Sequence, residues 1–414
     1  MRFLFVSAQL PGHLDWGGYL ATAVELQRRG HTVLWASREA VRPLLDEAGL
    51  PLHALPETGW RWPPPPPLSP QPDMDPAAWQ QLRVARALDQ WLEVARVEQA
   101  VLALQDAVGA FAPHVLVGEM FVAAAGIVAE TMDVPFVVVG WPAVQSDVPS
   151  AANQPVVDRA RQRLQSLLNR FDVCGVNWTM EGPPALCSPH LHVSYWSPRW
   201  FAGVPLQAQT QHVGGRAAPP TGTAIDVELP EDAPLVFITL GTTFADDPNF
   251  FLAAAHATVQ AGARPLLALG GLRDPAKVRA LRKQLPVSAI VRQRVDFAAV
   301  LPHVAAAIHH GGAGTTHALV THAVPQIIVP HAGDQMRQAQ GVMRSGVGVH
   351  IPARQVTIAK LAETLRAFLP ADAPIRPQTR ALRAEFAALG GVARAADLLL
   401  DVPPSAGRSP DGEE

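Results

Sequence analysis

Two cysteines, Cys174 and Cys187, are all that 414 residues contain, and they have no metal-type spacing. That excludes a disulfide scaffold and suits a reducing, cytoplasmic setting. Excess charge is also missing. The net charge is -3 and no basic block occurs, so nucleic acid is not an expected partner. No apolar run reaches the ~18 to 20 residues that a membrane span needs. Contact with a membrane surface, at the inner face, stays open. The start, MRFLFVSAQLPGHL, has one Arg and a short apolar run but no small-residue cleavage site after it. It reads as a first strand entering a turn, not as a secretion signal. What is present is a globular composition, 48 % apolar and 17 % charged, long enough for two or three domains.

The apolar runs alternate between strand and helix. RFLFVSA (2–8) reads as a buried parallel strand, YLATAVELQRRG as a helix ending at Gly30, and HTVLWAS (31–37) as the next strand. One long helix or two fill 77–110. HVLVGEM (114–120), AAAGIVAETM and VPFVVVG (134–140) continue the alternation. This is the pattern of a doubly wound parallel sheet. From 202 to 232 the composition loosens, and at PLVFITLG (234–241) the pattern restarts. NFFLAAAHATVQAG follows as a helix, and ARPLLALG, VSAIVRQRV, AAAIHH and PQIIVPH read as further strands. The prolines of 61–72 favour an extended, stiff loop.

One stretch is dense in chemistry: HHGGAGTTHALVTHAVPQIIVPHAGDQ, residues 309–335. Its first part has the form strand, glycine turn, helix. A helix N-terminus offers unpaired N–H groups and partial positive charge, and glycines let a phosphate approach the backbone. It is neither a Walker loop nor a GxGxxG fingerprint. A metal site fits the spacing badly, because His309 and His310 are adjacent on a strand and His317 and His322 are five apart. A plain glycine turn with core histidines is the other alternative, and His317, His322 and His350 fit that description. Asp334 and Gln335 fall in a loop beyond a strand end, where ligands bind in open α/β sheets. A carboxylate and an amide side by side suit sugar hydroxyls. A phosphate cradle with a hydroxyl reader implies a nucleotide sugar.

These residues resemble the nucleotide-sugar site of glycosyltransferases of family 1. The likeness is strong over 234–352 and loose over 40–110 and 145–205. It implies an α/β chain of two facing Rossmann-like doubly wound domains (GT-B). The expected divisions are 1–205 for the acceptor-binding domain, 206–232 for the linker and 233–385 for the nucleotide-sugar domain. A C-terminal helix at 386–401, packing back on the first domain, and a disordered tail at 402–414 complete them. The resemblance further implies a metal-independent, inverting hexosyltransferase without cofactor. It would move a sugar from a UDP- or TDP-sugar to a hydroxyl of an apolar small molecule or lipid. No DxD-type carboxylate pair stands where a metal-held donor would need one.

Residue by residue, the resemblance puts the pyrophosphate contact on His309. Gly311, Gly312, Ala313, Gly314 and Thr315 form the cradle, Gly241 and Thr242 the turn near the phosphates, and Asp334 and Gln335 the sugar reader. Val295 takes the base; the Asp296-Phe297 that follows departs from the family and leaves uracil or thymine open. His13 in PGHL takes the role of general base, oriented by Glu119 or by Asp15. GHLDWGGYL carries about two residues more than the family's usual turn, which reshapes the acceptor side. Trp16, Trp60, Trp62 and Trp141 are candidate acceptor contacts, or simply core. A nucleotide-sugar 2-epimerase and a non-catalytic partner of the same fold are the rival readings.

Overall fold

The computed structural model describes residues 1–15, 17–63, 68, 74–140, 154–179, 182–217, 233–242, 246–331 and 333–403, with Gly333 and Asp334 in backbone only. The chain divides into two compact units. The first comprises Met1–Tyr195, Gly203–Val213 and the chain from Val392; the second comprises Trp196–Ala202 and Gly214–Gly391.

In the first unit the strands are β1 (Arg2–Val6), β2 (Thr32–Ser37), β3 (Leu52–Ala54), β4 (Val115–Glu119), β5 (Phe136–Val139), a small pair β6 (Trp178–Thr179) and β7 (Ala185–Leu186), β8 (Leu191–Ser194) and β9 (Thr210–His212). Seven of them form one sheet in the order β3-β2-β1-β4-β5-β8-β9, parallel at every pairing. Its helices are α1 (Pro11–Leu14), α2 (Tyr19–Arg28), α3 (Arg42–Glu47), α4 (Pro76–Asp89), α5 (Val94–Phe111), α6 (Ala123–Thr131) and α7 (Gln154–Phe171). The strand order reverses between β1 and β4. Tyr19 of α2 bridges that point: its hydroxyl faces the carbonyls of Val6 at 2.8 Å and Val117 at 2.9 Å. Side chains of β1, β4 and β5 pack one face of the sheet against α5, α6 and α7.

The second unit has β10 (Leu235–Thr239), β11 (Arg264–Ala268), β12 (Ile290–Arg292), β13 (Val304–His309), β14 (Gln326–Ile328) and β15 (Gly348–His350). They form a parallel sheet in the order β12-β11-β10-β13-β14-β15, reversing between β10 and β13. The helices are α8 (Pro248–Gln260), α9 (Pro275–Gln284), α10 (Phe297–Val300), α11 (Ala313–Thr321), α12 (Gly333–Arg344), α13 (Ile358–Phe368) and α14 (Ile375–Ala388). An Asp-Pro pair starts each of α4, α8 and α9. Asp75, Asp247 and Asp274 cap the first N–H groups, and the proline takes the first turn, where no N–H is needed. Trp196 and Trp200 stack at 4.3 Å within this unit, and Trp200 lies against Gly341 of α12.

Several expectations need adjustment. Residues 206–217 are not plain connection, because Thr210–His212 is the edge strand of the first sheet; 218–232 lie outside the described residues. The single helix expected at 386–401 is the end of α14, a break at Leu389–Gly390 and a separate helix, α15 (Gly391–Leu400). Of α15, Asp397 meets Arg29 of α2 at 2.6 Å. Most of the tail, 404–414, and most of the proline-rich loop also lie outside the described residues. Among the described residues no helix is long and apolar enough to cross a membrane.

Candidate functional site

Open parallel sheets bind ligands beyond the carboxyl ends of their strands, at the point where the strand order reverses. Each unit places sequence-selected residues at that point.

In the first unit β1 leads into α1, which carries His13, and β4 ends on Glu119. His13 Nδ1 lies 2.7 Å from Glu119 Oε1, which also accepts the Ala8 N–H at 2.9 Å. An ionised carboxylate only accepts, so Nδ1 is the donor in that pair. Glu119 is fully buried, and its Oε2 has no hydrogen-bond partner among the described residues. Buried orphans of that kind are rare and call for an explanation. Glu119, one of the two candidates, is thus in contact with His13. Asp15 follows α1 as its C-cap, and burial pushes its carboxyl up to about 6, the Gly17 backbone hydrogen bond opposing.

Trp60 and Phe121 flank the histidine, with ring centroids 5.1 and 5.2 Å from it and 4.8 Å from each other. The loop of Trp60 is anchored by Glu57, which accepts the N–H groups of Thr58 and Gly59 and pairs with Arg96. Sequence reasoning missed Phe121; its place two residues after the β4 carboxylate was the available signal. Trp62 is exposed. Trp16 and Trp141 lie outside the described residues.

In the second unit, β10 ends in the turn of Gly241 and Thr242, and β13 ends at His309, His310 and the glycines. The expectation for His309 fails. Its side chain is fully buried, with Nε2 donating to Gln326 Oε1 at 3.0 Å and Nδ1 accepting the Gly311 N–H at 3.2 Å. Burial, then the neighbouring His310, pushes its pKa down to about 3, so the ring is neutral and spent internally. His310 is the ring that reaches the turn. A Cβ on Gly241 would stand 2.6 Å from it, and one on Gly312 2.4 Å. The two glycines therefore exist to let this imidazole pass against both backbones. Burial, with the charge of His331 second, pushes its pKa down to about 4 against the opposing hydrogen bond to the Thr239 backbone.

Gly311 has φ +93°, the left-handed region that favours glycine, and turns the chain into α11 with Gly312 as its cap. Ala313, Gly314 and Thr315 form the first turn, whose N–H groups have no acceptor inside the helix. Gln335, in the first turn of α12, is buried, and its Oε1 accepts the His331 N–H at 2.7 Å. Asp334 adjoins it in the backbone; its side chain lies outside the described atoms. Val295 follows β12 and packs on the core beneath that end of the sheet. His317 is core, edge-on to Trp196 at 5.4 Å. Among the described residues no group of three or more His, Cys, Asp or Glu is placed to hold a metal ion.

Comparison with known proteins agrees with this layout. Residues 273–396 match the C-terminal domain of erythromycin biosynthesis protein CIII-like proteins. Demethyllactenocin mycarosyltransferase of Streptomyces fradiae is 30 % identical over 208 residues, 50 % of this chain and 44 % of that protein. The fold matches the calicheamicin glycosyltransferase CalG4 with TM-score 0.75 at 24 % identity, over 97 % of this chain and 99 % of that one. It also matches the spinosyn rhamnosyltransferase SpnG, solved with thymidine diphosphate, with TM-score 0.71 at 21 % identity over 97 % and 100 % of the two chains. This is the likeness of a family 1, natural-product type glycosyltransferase. The fold is that of the GT-B glycosyltransferases, two Rossmann-like parallel-sheet units. In sequence, the chain spans about two fifths of the length of the curated relatives it matches.

Proposed function

We propose that the chain transfers a hexose from a nucleoside diphosphate sugar to a hydroxyl of an apolar small molecule, with inversion at the anomeric carbon. The observation that carries this reading is His13 Nδ1 at 2.7 Å from the buried Glu119 carboxylate, which supports a ring oriented to take a proton on Nε2. In the reaction the acceptor oxygen attacks the anomeric carbon and its proton passes to Nε2. The bond from that carbon to the phosphate oxygen breaks, and its electron pair leaves with the nucleoside diphosphate. Glu119 stabilises the imidazolium so formed. The growing charge on the diphosphate falls to the second unit: the free N–H groups at the start of α11, the Thr315 hydroxyl, Thr242 and the His310 ring. Preorganised donors of this kind contribute a few kcal/mol each to a transition state, so the reading needs no metal.

SpnG, solved with thymidine diphosphate and with its aglycone, supports a nucleotide and a small-molecule acceptor as the co-substrates here. Gln335 with Asp334 reads the sugar hydroxyls, and Val295 the base. Trp60 and Phe121 beside His13 favour an apolar acceptor. The test is His13→Ala, assayed with UDP- and TDP-sugars and a mixed panel of acceptors. Transfer is expected to fall by ~10²- to 10⁴-fold, the usual worth of a general base, with nucleotide binding unchanged. Full turnover by this variant removes the base assignment.

A further inference from the structure

His331 has no role in the reaction as written, yet it lies between two walls of the nucleotide end of the second unit. It follows β14 and precedes Gln335. Its Nδ1 donates to the Val329 carbonyl at 2.8 Å, which fixes one ring proton. Its Nε2 faces Asp247 Oδ2 at 3.4 Å. Both ring nitrogens thus face acceptors. Asp247 is itself held, because its other oxygen caps α8 through the Phe250 N–H at 3.1 Å. The Phe250 ring meets the imidazole edge-on at 5.8 Å. From the other side, the backbone N–H of His331 holds Gln335 Oε1. The amide therefore turns its carbonyl inward and its Nε2 donors away from that bond. An unbroken link runs from the first turn of α8, through the His331 ring and backbone, to the side chain proposed to read the sugar. His310 at the end of β13 is the other titratable group near the ring.

We propose that His331, held by Asp247, is a positioning residue for the sugar of the donor: it sets the orientation of the Gln335 amide. This rests on the assignment of nucleotide-sugar binding to the second unit. It makes a prediction that general loosening of the fold does not. The link reaches the sugar reader through hydrogen bonds and the His310 ring only through the charge of His331, so the sugar-dependent part of binding suffers most when it is cut.

The variants are His331→Phe, which keeps a ring against Phe250, and Asp247→Asn, which keeps a helix cap. Binding of UDP, TDP, UDP-glucose and TDP-glucose is measured by calorimetry on the full chain. Each variant is expected to bind the sugar-free nucleotide within twofold of the unaltered protein and the nucleotide sugar about tenfold more weakly. The double variant should be no weaker than either single one, since both cut the same link. Steady-state kinetics should show KM for the nucleotide sugar raised about tenfold with kcat within a few-fold. Equal binding of nucleotide sugar by variants and unaltered protein overturns the proposal alone, as does equal weakening toward nucleotide and nucleotide sugar. An unaltered protein that binds none of the four probes overturns the donor assignment, and this proposal with it.

Discussion

At the residue scale, the second unit's glycines matter for what they let past them. Gly312 has φ -64° and ψ 142°, a conformation any residue adopts, so its backbone gives no reason for glycine. The reason is the His310 imidazole, 2.4 Å from where a Cβ would sit. Gly312→Ala therefore tests the cradle with little backbone penalty. The ring must move, and it is boxed in by Gly241 on its other side. We expect nucleoside diphosphate affinity to fall at least tenfold in calorimetry while the circular dichroism spectrum is retained. Unchanged affinity would show that the ring's placement has no part in binding. The same geometry explains the misassignment of His309. Two adjacent histidines at a strand end point to opposite faces, and nothing in their identity says which face carries the ligand. Only the glycines separate the two: Gly241 and Gly312 make room for the His310 ring and not for that of His309.

At the element scale, helix α12 contains a glycine that propensity alone would replace. Ala in place of an interior helix Gly ordinarily stabilises by about 1 kcal/mol. Here a Cβ on Gly341 would stand 2.1 Å from the Trp200 indole, which is fully buried. Overpacking of this sort costs about 1 to 3 kcal/mol, so Gly341→Ala is expected to lower the thermal midpoint. A midpoint that rises would mean that Trp200 yields easily. This contact was not readable from the chain, because Trp200 and Gly341 are far apart in sequence and neither belongs to an apolar run. What was readable were the strands buried on both faces. RFLFV, VLVGE, LVFIT and VAAAIH announce themselves by continuous apolar or small residues. The outer strands do not. β8 is LHVS, half polar, and β9 is TQH, wholly polar; both are short, and only pairing to a neighbour makes them strands. The chemistry was legible for the same local reason: a glycine turn after a strand shows in a few consecutive residues. The His13–Glu119 contact spans 106 positions, and no local pattern could choose Glu119 over Asp15.

At the scale of the whole molecule, three buried histidines make stability depend on acid in a way set by sign. Burial pushes His192 down to about 4, as it does His310, and His309 to about 3. In the unfolded chain each titrates near ~6.5. Between those values the unfolded state binds more protons than the folded one, so stability rises with pH. The contribution is complete above about pH 6.5 and is lost as pH falls toward 4 and below. Each such group contributes a slope of about 1.4 kcal/mol per pH unit in that window. Two of the three lie in the second unit, while in the first the Asp15 carboxyl, pushed up to about 6 by burial, acts against His192 between pH 4 and 6, so the pH slope should be steeper in the second unit. Against a total of about 5 to 15 kcal/mol, acid should open the second unit first, with protection lost from β10 and β13 before β1 and β4. Hydrogen exchange read by mass spectrometry from pH 7 to pH 4 measures this order. Simultaneous loss, or loss from the first unit first, would contradict the burial argument. A nucleotide changes the expectation in a specific direction. An anion beside His310 favours its charged form and raises its folded value, while His309, with both nitrogens used internally, is untouched. Saturating TDP should therefore remove close to half of the second unit's pH slope and leave that of the first unit as it was. If TDP binds and the slope is unchanged, the anion does not meet His310.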